Sequence, residues 1–161
     1  MGSSYYFEGS IDIEPALNFA EIKKARKAAL KLLSNAWDKK YANEDNVLQS
    51  YMPLRFNLEE FVRETDEGPL HVTQARSMIP SNYSDGSYSF LMSDLMEAII
   101  QELPGHTWSG TVMSVDGDCT GAVKIVVSPG EGLSTVTEVR GKPMIQWEND
   151  DKPTPVDEIM G

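Results

Sequence analysis

Residues 105–119, GHTWSGTVMSVDGDC, gather the groups in this chain best suited to chemistry: His106, Asp116, Asp118 and Cys119. An imidazole and a thiol suit a base and a nucleophile, and two carboxylates suit a hard cation. Calcium, however, takes several oxygen ligands, which a helix-loop-helix site supplies at alternate positions ending in a Glu. Here Cys119, Thr120 and Gly121 follow Asp118, and the next acid is Glu131. Two carboxylates do not fill the shell, whereas Asp-Gly supplies the positive φ of a tight turn. The turn is the leading reading, with Asp116 and Asp118 kept as weak metal candidates.

The other chemical signals are weaker. His71, His106 and Cys119 show no paired C-x-x-C or H-x-x-x-H spacing for zinc. Cys119 has no neighbouring base to lower its pKa. SPGEG, 128–132, lacks the Lys-Ser/Thr and the following helix of a phosphate loop. The aromatic stretches YYF and LRFNLEEFVR lack the basic residues of an RNA-stacking sheet, and Glu59 and Glu60 repel phosphate. No catalytic residue and no cofactor is therefore expected.

Charge carries more information. The 161 residues sum to −11, which disfavours nucleic acid and anionic membranes as partners. The basic residues are concentrated: residues 18–33 hold Lys23, Lys24, Arg26, Lys27 and Lys31 against Glu21 alone, a local balance of +4. Lys23, Lys24, Lys27 and Lys31 fall opposite the apolar positions of a helix. They are either a solvated helix face or a docking patch for an acidic partner, such as acidic strands of the same protein in a dimer. They are the candidate partner-binding residues.

The elements that must position these groups follow from periodicity. Residues 5–13 read as a strand stopped by Pro15. Asn18 and Glu21 form a capping box for a helix with Phe19, Ile22, Ala25, Ala29, Leu32, Leu33 and Ala36 on its apolar side. A hairpin spans 54–79, with a bulge expected at Glu59–Glu60. A second helix, about 88–102, places Leu91, Met92, Leu95, Met96, Ile99, Ile100 and Leu103 on one face. Pro104 and Gly105 end it. Strands follow at 106–115, 121–127, 133–139 and 144–148, then a polar, acidic segment over 149–161.

The expectation is one α+β domain over 1–148 with a flexible acidic tail, 149–161. An antiparallel sheet of five to seven strands carries two helices on one face. The order matches a ferredoxin-like βαββαβ core with added C-terminal strands. The length suits one domain with a real core, and a single Cys fits a reducing compartment. No apolar run suits a membrane span and no leader pattern is present, so a cytoplasmic address is expected, bacterial or host.

The chain resembles a family of small uncharacterised proteins from actinobacteria and their phages. The resemblance rests on FEGSIDIEPALNFAEIK and PGHTWSGTVMSVDGDCTGAVKIVV. In the family a G-x-I-x-I-x-P-x-L strand enters a W/F-A-E-I helix, and a P-G-H-x-F/W-x-G turn enters a later strand. Here these are Gly9 to Leu17, Phe19 to Ile22, and Pro104 to Gly110. The family has no assigned activity, so the resemblance implies a phage setting and no site residues. The leading function is a non-enzymatic accessory protein acting on an unknown protein partner, as monomer or homodimer. The alternatives are an acidic DNA mimic and a metal-dependent enzyme using residues 106–119.

Overall fold

A computed structural model describes residues 5–36, 53–80, 92–116, 121–141, 144–145, 152 and 154–155. In chain order the elements are β1 (Tyr5–Asn18), α1 (Phe19–Ala36), β2 (Leu54–Thr65), β3 (Gly68–Pro80), α2 (Met92–Glu102), β4 (Thr107–Asp116), β5 (Ala122–Ser128) and β6 (Thr135–Gly141). The first six strands form one sheet in the order β2-β3-β1-β4-β5-β6, and every neighbouring pair is antiparallel. A separate pair joins β7 (Met144–Ile145) to β8 (Thr154–Pro155), the latter within the segment expected as a tail. No helix among the described residues is long and apolar enough to cross a membrane.

Strand alternation builds a single core. Ile11 and Ile13 of β1, Met78 of β3, Trp108 and Val112 of β4, and Ile125 and Val127 of β5 point to one face and are buried. Ile22, Ala25, Ala29 and Leu33 of α1 and Met92, Leu95, Met96, Ile99 and Ile100 of α2 cover that face. Val126 follows Ile125 on β5 but does not share its face. It is only half-buried, because residues adjacent on a strand face opposite ways. The outer face carries Ser10, Asp12, Ser109, Thr111 and Lys124.

Two glycines let the central strands approach. Gly9 (φ 109°) and Gly110 (φ 148°) sit on β1 and β4. A Cβ at Gly9 would stand 2.0 Å from Thr111 O, and one at Gly110 would stand 2.2 Å from Ser10 O. Both conformations favour glycine.

The structure corrects three expectations, and a fourth lies outside the described residues. Pro15 does not stop β1. The Glu14–Pro15 peptide is cis, and β1 rejoins β3 at Leu17 opposite Ala75 and Asn18 opposite Gln74. Asp12 lies opposite Ser77, so residues 13–16 arch over Arg76 alone, where a missing Pro N–H breaks no ladder. The β2 irregularity falls between Phe56 and Leu58 rather than at Glu59–Glu60, where the strand leaves the core. Phe19 is 51% exposed, since it opens α1 at the margin of the apolar stripe, with Lys23 one turn above it. Residues 88–91, expected to begin the second helix, lie outside the described residues, and α2 is described from Met92.

Candidate functional site

The residues that opened the sequence argument are separated by the strand that links them. His106 precedes β4 and Asp116 ends it. Ten residue steps of extended chain put their backbones roughly 33 Å apart. Asp118 and Cys119 lie outside the described residues. Among the described residues no group of three or more His, Cys, Asp or Glu converges to hold a metal.

His106 has a different setting. Its side chain is 5% exposed. Nδ1 donates to Pro15 O at 2.7 Å, and Nε2 faces Glu21 Oε2. Glu21 also completes the capping box foreseen for α1. Its Oε1 accepts from Asn18 N at 3.1 Å, and its own N–H donates to Asn18 Oδ1 at 2.9 Å. Burial pushes the Glu21 carboxyl up, but the His106 hydrogen bond, the Asn18 N–H and the positive charges of His106 and Lys24 outweigh it and hold the pKa below the usual carboxylate range. Both ring nitrogens face protein oxygens, so no lone pair is open to a substrate. The His106–Glu21 pair ties the start of β4 to the β1–α1 junction and is architectural.

A groove of about 700 Å³ lies beside the β1 arch, lined by Asp12, Glu14, Pro15, Arg76 and Thr107. Its guanidinium is engaged: Arg76 Nε stands 3.5 Å from Glu59 Oε2. Among the described residues its lining has no Cys, Ser or His, and so no imidazole to activate the Thr107 hydroxyl. Trp108 Nε1 is buried without a hydrogen-bond partner among the described residues, but it faces the core on the other side of the sheet.

The surface features are better developed. Lys23, Lys24, Lys27 and Lys31 are all exposed, on the side of α1 opposite the buried Ile22, Ala25, Ala29 and Leu33. Lys23 Nζ lies 4.7 Å from the centroid of the Phe19 ring. The second feature was missed by sequence reasoning. β3 pairs with β1 only as far as Gln74, while β2 and β3 continue together from Leu58–Ala75 to Thr65–Gly68. Residues 59–73 are therefore a two-stranded arm extending beyond the sheet. Every β2 residue from Asn57 to Thr65 is exposed. The arm displays Phe61 at 40%, Val62 at 67% and Leu70 at 44% exposure, as well as Leu58 at its base. The available signal was the adjacent Phe61–Val62, which puts an apolar side chain on each face of one strand.

Comparison with protein-family models, curated proteins and solved structures finds no significant match to this chain.

Proposed function

We propose that this is a non-enzymatic accessory protein, phage-encoded and cytoplasmic, that works through protein–protein contact, and that the β2–β3 arm is its contact surface. One observation carries the reading: Phe61, Val62 and Leu70 are exposed on an arm that pairs with no third strand among the described residues. A two-stranded ribbon is marginal in water by itself, and apolar groups held there gain by being covered. The phage setting is supported by the family resemblance alone. The sheet order β2-β3-β1-β4, with each helix-linked strand pair separated by one antiparallel strand, supports a ferredoxin-like core. The complete sheet differs from that four-stranded pattern by the added β5 and β6.

The alternatives fare less well. The arm does hold Glu59, Glu60, Glu64, Asp66 and Glu67. A DNA mimic needs an unbroken carboxylate array, however, and Phe61, Val62 and the α1 lysines interrupt it. The separation of His106 from Asp116 weighs against an enzyme built on 106–119.

The test is capture from host lysate by wild type and by a Phe61→Ser, Val62→Thr, Leu70→Ser variant. Proteins retained by wild type and lost by the variant support the arm. Identical capture by both removes it as the contact surface.

A further inference from the structure

We infer that the arm's occupant is a second copy of this chain, seated on the lysine face of α1; this rests on the contact reading above. The two surfaces are complementary in charge. The arm between residues 58 and 73 carries five acids, Glu59, Glu60, Glu64, Asp66 and Glu67, against Arg63, a balance of −4. Residues 18–33 carry five bases against Glu21, a balance of +4, and Glu21 is engaged by His106. Lys23, Lys24, Lys27, Lys31, Glu60 and Glu64 make no ion pair among the described residues.

The spacing agrees as well. Glu60 and Glu64 flank Val62 on one face of the arm, about 13 Å apart at strand rise. Lys23, Lys27 and Lys31 form one slanted row on α1, whose ends are about 12 Å apart at helical rise. Each charged row contains an exposed apolar side chain, Val62 on the arm and Phe19 at the start of the helix.

One copy cannot satisfy both surfaces itself. The arm departs where β1 ends, at Asn18 opposite Gln74, and projects outward by about 20 Å over six residues. α1 starts at that same end and runs the other way, back over the sheet to bury Ile22, Ala25, Ala29 and Leu33. The arm and the lysine row diverge, so their contact is between copies. In it the arm meets a different surface, the helix face, either reciprocally in a two-fold dimer, which is isologous, or head-to-tail from copy to copy, which is heterologous.

Sedimentation velocity on the full chain tests this with three proteins: wild type, Lys23→Glu with Lys31→Glu, and Glu60→Lys with Glu64→Lys. Wild type is expected to self-associate in low salt and to weaken by about tenfold or more when salt is raised from about 0.05 to 0.5 M. Each charge-reversed protein by itself is expected to be monomeric, with an unchanged circular dichroism spectrum and melting temperature. An equimolar mixture of the two is expected to re-associate, because reversed helix then meets reversed arm. A wild type that stays monomeric in low salt, reversed variants that associate like wild type, or a mixture that stays monomeric would each overturn the inference. If wild type is monomeric while arm-dependent capture from lysate persists, only the second copy is lost as occupant. If capture is also indifferent to the arm, the contact reading falls with it.

Discussion

His106 Nε2 meets Glu21 Oε2 across 85 residues of sequence, joining the turn that enters β4 to the capping box that opens α1. A backbone turn, a helix cap and a strand start are thereby held by one buried ring. Glu21 serves two partners at once, a backbone N–H of its own cap and the imidazole from the far half of the chain.

Stability should accordingly depend on pH through Glu21. Its folded pKa lies below the usual carboxylate value, so its contribution is present above the unfolded carboxyl pKa and is lost as pH falls through the folded one. Glu21→Gln keeps an oxygen for the Asn18 N–H and removes the charge facing His106. At pH 7 it should cost about 1–3 kcal/mol. The gap to wild type should close toward about pH 3, as urea denaturation at both pH values would show. A gap that widens in acid would contradict the sign.

Gly110→Ala should destabilise by about 2 kcal/mol or more. Its Cβ falls 2.2 Å from Ser10 O, at a φ that other residues avoid. Gly105→Ala, where nothing lies within 4 Å, is the control and should change the melting temperature little.

Leu95 is fully buried beneath the sheet, and Leu95→Ala should cost about 2–5 kcal/mol. Val62→Thr on the arm should change stability by about 0.5 kcal/mol or less, since a side chain 67% exposed has little burial to lose. Equal losses at the two positions in chemical denaturation would place the arm inside the core instead.

Asp116→Asn with Asp118→Asn should leave the melting temperature the same with and without excess calcium. A ligand held only by the folded state raises that temperature by mass action. A calcium-dependent rise of several degrees in wild type, lost in the double variant, would restore the metal reading.

Most of the elements were legible in the chain because they depend on near neighbours. The α1 stripe of Ile22, Ala25, Ala29 and Leu33 with its exposed lysines, the Asn18–Glu21 cap, and the hairpin over 54–79 follow from spacing within a few residues. The surface side of the proposed contact, Lys23 to Lys31, was visible for the same reason. The tertiary structure alone decided which distant strands are neighbours. That choice carries β1 past Pro15 to Gln74, presses Gly9 and Gly110 against facing backbones, and brings His106 to Glu21 while leaving Asp116 at the other end of β4. It also leaves residues 59–73 without a third strand among the described residues. Periodicity records which side of an element is apolar. It does not record where a neighbouring strand stops, and that length mismatch between β1 and the β2–β3 hairpin is what makes an arm.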